Sequence, residues 1–222
     1  MHAKKIAAEK AVEWIQDGMT VGLGTGSTAY WAIQSIAARV KDGLSIRAVA
    51  SSTSSEDLAR ELGIPLVPFA DVETIDMTID GADEVDDQLS LIKGGGGALL
   101  REKILAASSR RLIIIVDASK RVKQLGRFPL PVEIVPFAAN LTLAQIKALG
   151  CLPELRLKDG QPFVTDNGNW IADCRFRTIE EPGSLETQLN LIPGVVENGL
   201  FVHRASSVIV GYEDGTVQTF TR

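Results

Sequence analysis

The chain is short of thiols, imidazoles and long apolar runs. Its 222 residues contain only Cys151 and Cys174, with no close spacing and no second pair. That rules against a disulfide framework and fits two free thiols in a reducing compartment. The histidines are His2 and His203, and the acidic runs lack the spacing of an EF-hand, so a metal site is not expected. No apolar stretch approaches membrane-spanning length. MHAKKIAAEKAVEWI at the N-terminus lacks the apolar run of a signal peptide, and Glu9 and Glu13 without arginine disfavour a transit peptide. A cytoplasmic protein without membrane contact is expected. A net charge of −5 argues against nucleic acid as a partner, although local basic residues still decide a pocket for a small anion.

What is present is ordinary globular composition, with 45% hydrophobic and 23% charged residues. The length fits one domain plus a modest second unit. The first part alternates helix-like and strand-like patterns. Helices are predicted over 5–16, 29–40, 54–63 and 98–108, and strands over 19–24, 46–51, 64–69, 75–80 and 112–117. Near-continuous apolar strands between helices mark a Rossmann-like, doubly wound, mostly parallel sheet. The rhythm changes near Pro129-Leu130-Pro131. Strand, helix, strands about an Asp-Gly turn, helix and strand then predict a smaller ferredoxin-like α+β domain. The last segment, ASSVIVGYEDGTVQTFTR, is expected to rejoin the first sheet. The expected division is 1–129 with 206–222 as the catalytic domain and 130–205 as a small domain for oligomer contacts. The chain has no internal repeat.

Residues 21–29, VGLGTGSTA, sit where a strand turns into a helix. G-T-G-S-T-A matches the relaxed dinucleotide fingerprint. However, Ser51-Ser52-Thr53 replace the acid that a dinucleotide site needs after the second strand, and no Gly-Lys-Ser/Thr follows for a Walker loop. A hydroxyl-rich loop of Thr25, Ser27 and Thr28 remains, suited to a small phosphate at a helix N-terminus. A tight turn capped by Ser or Thr fits the same residues.

The stretch IDGADEVDDQLSLIKGGGGALLREKI (79–104) holds the remaining chemistry. Asp80 ends an apolar strand, where open α/β sheets place their ligands, and Asp83 follows three residues later. Glu84, Asp86 and Asp87 read as a solvated continuation, the commoner fate of acidic runs. Lys93 precedes Gly94 to Gly97, an ammonium beside a nest of backbone N–H groups that suits a developing anion. Glu102 has Ala98, Leu105 and Ala106 as helical neighbours; a partly desolvated carboxylate makes a better general base. Lys103 has similar neighbours and reads as a snorkelling side chain. Moving a proton on carbon beside a carbonyl needs a carboxylate base, a cation for the enediolate and acids for the oxygens. Glu102, Lys93, Asp80 and Asp83 supply that set, as in an aldose–ketose isomerase acting on a sugar phosphate.

GLGTGSTA, DGADEVD, KGGGGALLREKI, VDASK, FPLPVE, VTDNGN and PGVVENGLF together resemble the type A ribose-5-phosphate isomerase family, in matching order from about residue 4 to the end. The resemblance implies reversible conversion of ribose 5-phosphate to ribulose 5-phosphate in the pentose phosphate pathway, with no metal or organic cofactor. It also implies a homodimer or homotetramer. By the same resemblance Glu102 is the general base, Lys93 supports the enediolate, and Asp80 and Asp83 bind hydroxyls and assist ring opening. By the resemblance Thr25, Gly26, Ser27 and Thr28 contact substrate and phosphate, and Gly81, Ala82, Gly94, Gly95 and Gly96 are further substrate-binding positions. Lys120 matches a further substrate position, and Lys4 is a candidate for the phosphate.

Two departures stand out. SSTSSED (51–57) differs in detail from the family pattern, and Leu100 occupies a position where a hydroxyl residue is expected. His203 and the cysteines read as structural. Three alternatives differ in sequence features. An amino-sugar phosphate isomerase-deaminase or coenzyme A transferase shares the architecture, but the contiguous DGAD, KGGG and REK set favours the isomerase. A sugar-phosphate sensor would usually add a DNA-binding unit, and none is visible. The ferredoxin-like part as a regulatory ligand domain lacks a motif of its own.

Overall fold

The computed structural model describes residues 2–222. In chain order it runs α1 (His2–Val12), β1 (Thr20–Leu23), α2 (Ser27–Lys41), β2 (Arg47–Ala50), α3 (Thr53–Glu61), β3 (Ile75–Asp80), β4 (Glu84–Val85), β5 (Leu91–Ile92), α4 (Leu99–Ala107) and β6 (Ser109–Asp117). It continues with β7 (Leu130–Ile134), α5 (Ala139–Lys147), β8 (Leu152–Leu155), β9 (Leu157–Lys158), β10 (Gln161–Pro162) and β11 (Trp170–Arg175). The last elements are α6 (Pro182–Asn190), β12 (Val195–Asn198), β13 (Leu200–Phe201), β14 (Ser207–Gly211) and β15 (Val217–Thr221). No helix among the described residues is long and apolar enough to cross a membrane. Two compact units emerge: Met1–Ala82 with Arg101–Lys120 and Arg204–Arg222, and Asp83–Leu100 with Arg121–His203.

The first unit is built on a sheet of order β15-β14-β6-β3-β1-β2, parallel except for the edge strand β15. Its strands are apolar on both faces because helices cover both. Ile113, Ile115, Met77 and Ile79 pack with Ala7, Ala11, Ile33 and Ile36 of α1 and α2, while Val49 and Ile75 pack with Leu105 of α4. Alanines along α1 let that helix lie close: Gly211 of β14 has no room for a Cβ, which would stand 1.9 Å from the Ala3 carbonyl oxygen. The first helix starts at His2 and ends at Val12, earlier than the pattern over 5–16 predicts; Trp14 and Ile15 close a tighter turn on Ala11 and Val12. The strand expected over 64–69 does not form. Val67 donates to Ala48 and Ala48 to Pro65, but Pro65 and Pro68 lack the N–H groups a ladder needs. Only a bridge at Leu66 remains before a short 3-10 turn at Phe69–Asp71.

The second unit carries an antiparallel sheet of order β12-β7-β11-β8 with α5 and α6 in the crossovers. That is the βαββαβ order of the ferredoxin-like fold. Asp159 and Gly160 both have positive φ, 54° and 77°, in the Asp-Gly turn joining β9 to β10. Residues 83–100 and 121–129 group with this unit rather than with the large sheet. Leu91 and Ile92 of β5 pair with Phe201 and Leu200 of β13, Lys93 donates its backbone N–H to Gly199, and Val122 donates to Val85.

One member of the acidic run is a core residue. Glu84 is buried, and its carboxylate accepts the backbone N–H groups of Gly126 at 2.8 Å and Phe128 at 2.6 Å. The solvated reading fails for Glu84 because the β4–β5 pairing turns it inward. It holds for Asp87, which is exposed and meets Arg121 at 2.5 Å, while half-buried Asp86 closes a turn on the Gln88 and Ser90 amides. Glu84→Ala strands two buried donors, and each hydrogen bond to a charged group contributes about 1.5–3 kcal/mol. A loss of roughly 3 kcal/mol is therefore expected, lowering Tm by about 6–12 °C at this chain length in a calorimetric scan. A similar buried hub explains the VTDNGN motif: Thr165, Asn167 and Asn169 side chains all donate to Glu133 Oε1.

Candidate active site

In the first unit the expected residues gather at the carboxyl ends of the parallel strands. β3 ends on Asp80, which is 1% exposed. Its Oδ1 accepts the backbone N–H of Thr25 at 3.1 Å and of Gly81 at 2.7 Å. This contact explains Gly24, since a Cβ there would lie 2.2 Å from Asp80 Oδ1 and 2.6 Å from Asp80 Cα. Gly81 faces the same loop, with its missing Cβ 3.8 Å from Thr28 Cβ and 4.0 Å from the Thr25 carbonyl oxygen.

The loop itself is anchored by hydroxyls. Thr25 Oγ1 lies 2.8 Å from both Ser51 Oγ and Ser52 Oγ, and Ser55 Oγ donates to the Gly24 carbonyl at 2.7 Å. Ser52 also caps α3, accepting the Ser55 N–H. These serines were not singled out as site residues; the absence of a dinucleotide acid after β2 is the signal that pointed to them. Gly26 then takes φ 100°, open to glycine alone at little strain, and α2 begins at Ser27. Lys4 Nζ reaches Ser27 Oγ at 2.9 Å, placing an ammonium beside a helix N-terminus, where an anion is favoured. A cavity of about 650 Å³ opens there, lined by Lys4, Gly26, Ser27, Tyr30, Ser54 and Leu58 among others.

Lys120 ends a short turn after β6. Burial pushes the neighbouring Asp117 carboxyl up, but the Ser119 hydroxyl and amide, with Lys4 and Lys120 nearby, outweigh it and hold the group below the usual carboxylate range. Lys4 and Lys120 therefore both act on one carboxylate. Glu102 stands in the first turn of α4 and is 4% exposed, as the apolar helical neighbours implied. Lys103 is equally buried, so it does not snorkel as expected.

The second unit holds the lysine and the glycine run. β4 pairs with β5 so that Glu84 faces Ile92. Asp83 donates its N–H to the Ile92 carbonyl, which brings it opposite Lys93. Its carboxylate accepts the Gly95 N–H at 2.7 Å, and a Cβ on Gly95 would lie 2.6 Å from Asp83 Oδ1. Lys93 is 2% exposed, with Nζ 5.4 Å from the Phe201 ring centroid. Gly94 and Gly97 have φ of 100° and 85°, and side chains there would strike Leu99 and Phe163. Thus Asp80, Glu102, Lys4, Lys120 and the Thr25–Thr28 loop belong to the first unit, and Asp83, Lys93 and the glycines to the second.

Among the described residues no three His, Cys, Asp or Glu side chains cluster to hold a metal. His203 is exposed at φ 57°, a turn position rather than the structural histidine expected. Both cysteines are buried and free. The Cys174 thiol donates to the Ala172 carbonyl and that of Cys151 to Ile146. The neighbouring Cys151 and burial push the Cys174 thiol far above its usual range, while Cys174 lowers the Cys151 thiol.

Comparison with known proteins decides the family. The family model described as ribose 5-phosphate isomerase A (phosphoriboisomerase A) matches residues 47–215. The chain belongs to the ribose 5-phosphate isomerase A family. A ribose-5-phosphate isomerase A of Bacillus thuringiensis subsp. konkukian (strain 97-27) is 59% identical over 216 residues, covering 97% of this chain and 98% of that protein. The structure of ribose 5-phosphate isomerase A from Methanocaldococcus jannaschii superposes with a TM-score of 0.94 at 40% identity, covering 99% and 98% of the two chains. A D-ribose-5-phosphate isomerase in complex with phospho-erythronic acid superposes at 0.95 with 41% identity, covering 99% of this chain and 97% of that one. Membership in this family makes the chain an aldose–ketose isomerase.

Proposed function

We propose that the chain interconverts ribose 5-phosphate and ribulose 5-phosphate through an enediolate, in the non-oxidative pentose phosphate pathway. Family membership across nearly the whole chain carries this reading. The Glu102 carboxylate takes the proton from C2 of the open-chain aldose, and the C–H electron pair moves toward C1 as its carbonyl oxygen gains charge. Lys93 stabilises that charge. Return of the proton to C1, with transfer of the hydroxyl proton between the two oxygens, gives the ketose. Asp80 and Asp83 bind those hydroxyls and assist ring opening. Thr25 to Thr28 and Lys4 hold the distal phosphate, supported by the glycine turn, the helix N-terminus and the lysine that meet there. Lys120 makes a further substrate contact.

No metal or organic cofactor enters this scheme, and the protein works in the cytoplasm as a homodimer or homotetramer. The exposed Phe137 and Leu141 on the second unit support apolar contacts between copies. Purified protein in EDTA is expected to convert ribose 5-phosphate at an undiminished rate, followed by the appearance of ribulose 5-phosphate. No conversion would sink the assignment, and conversion abolished by the chelator would restore a metal to the acidic run.

A further inference from the structure

Resting on that reading, we propose that Arg156 is a positioning residue for the glycine run, fixing the Gly95 and Gly96 peptides so that the Gly96 N–H is turned to the substrate's developing anion while the Gly95 N–H holds the Asp83 carboxylate. Arg156 follows β8, and its guanidinium is largely buried. Nε and Nη2 grip Asp173 of β11 bidentately at 2.9 and 2.5 Å. Nη1 donates to two consecutive carbonyls, Gly94 and Gly95, each at 3.0 Å. Phe163 flanks both partners. Its ring lies 5.8 Å from the Arg156 Cζ and fills the space where a Gly97 side chain would be.

The consequence follows from peptide geometry. In a planar trans peptide the carbonyl of one residue and the N–H of the next point in opposite directions, and the described chain has no cis peptide. With the Gly94 and Gly95 carbonyls turned to Arg156, the Gly95 and Gly96 N–H groups turn away from it. The Gly95 N–H does so, meeting the Asp83 carboxylate. By the same peptide geometry the Gly96 N–H turns away from Arg156, which makes it the donor for the developing anion. Asp173 neutralises the guanidinium, so the contribution of Arg156 is orientation rather than net charge. Only the planar fork of arginine supplies a bidentate grip and two further carbonyl bonds from one side chain. The competing role is a plain cross-strand brace between β8 and β11.

Arg156→Ala and Arg156→Lys in the full chain separate the two roles. For Arg156→Ala, kcat is expected to fall about 10- to 100-fold with KM nearly unchanged. Affinity for phospho-erythronic acid, whose carboxylate stands in for the enediolate, falls in proportion, while affinity for ribitol 5-phosphate, uncharged at that end, does not. Added guanidinium restores part of kcat to Arg156→Ala but none to Arg156→Lys, which falls between parent and alanine. If the alanine variant fails to fold, the lysine variant carries the same comparison of the two ligands. Parent-like kcat and acid affinity in the variants would overturn the inference. So would equal weakening of both ligands with a lowered Tm that guanidinium leaves untouched. An inactive parent protein would overturn the isomerase reading itself, whereas an active parent beside unaffected variants overturns this inference alone.

Discussion

Glu102→Gln is expected to lower kcat for ribose 5-phosphate about a thousandfold, within the range that a positioned general base contributes. Glutamine keeps the shape and the hydrogen-bonding reach of the side chain but cannot accept a carbon-bound proton. Binding should therefore persist, with KM close to that of the parent. The site of the substitution makes the result diagnostic, because Glu102 is nearly inaccessible in the first turn of α4. A carboxylate kept only to support the helix N-terminus would contribute about 0.3–1 kcal/mol of stability and nothing to turnover. A fall in Tm with kcat intact would identify that role. Loss of kcat at an unchanged Tm identifies the base.

Lys93→Met carries the second large effect, a loss in kcat of about 10²–10³-fold, the scale seen when a preorganised stabiliser of developing charge is removed. Methionine approximates the buried stem and removes the ammonium beside the Phe201 ring. Removing one charge from a buried interaction destabilises a protein, so Tm should fall as well, while the folded variant assayed below its transition still shows the loss of activity. The structural alternative predicts a destabilised protein that still turns over substrate below its transition. Steady-state kinetics beside a thermal scan distinguish the two.

The placement of these two residues was partly legible in the sequence because each sits beside a local signal. Glu102 lies in a helix whose neighbours are apolar, and Lys93 ends a strand before four glycines. The parallel sheet was legible from strands such as 112–117, apolar on both faces, and the ferredoxin-like order from two βαβ-like halves in succession. Other features depend on pairings that no local pattern reveals. Glu84 looks like its solvated neighbours until β4 pairs with β5 and turns it toward the Gly126 and Phe128 amides. The 64–69 segment has strand composition, yet two prolines deny it a ladder. Ser51, Ser52 and Ser55 become partners of Thr25 and Gly24 only once β1 and β2 lie side by side. Residues 83–100 leave the large sheet because β13, about a hundred residues later, supplies the partner for β5. Arg156 is still less visible, since its hydrogen bonds run to backbone carbonyls about sixty residues earlier.

Turnover of ribose 5-phosphate in D2O containing EDTA tests proton transfer by Glu102 most directly. Mass spectrometry of the recovered pentose phosphates would detect deuterium bound to C1 or C2. The expected result is sustained turnover with carbon-bound deuterium in the parent protein, and neither turnover nor exchange in Glu102→Gln. Turnover that stops on chelation and, in a metal-replete control, leaves the transferred hydrogen unexchanged would contradict it, and would point to a metal-assisted hydride shift instead.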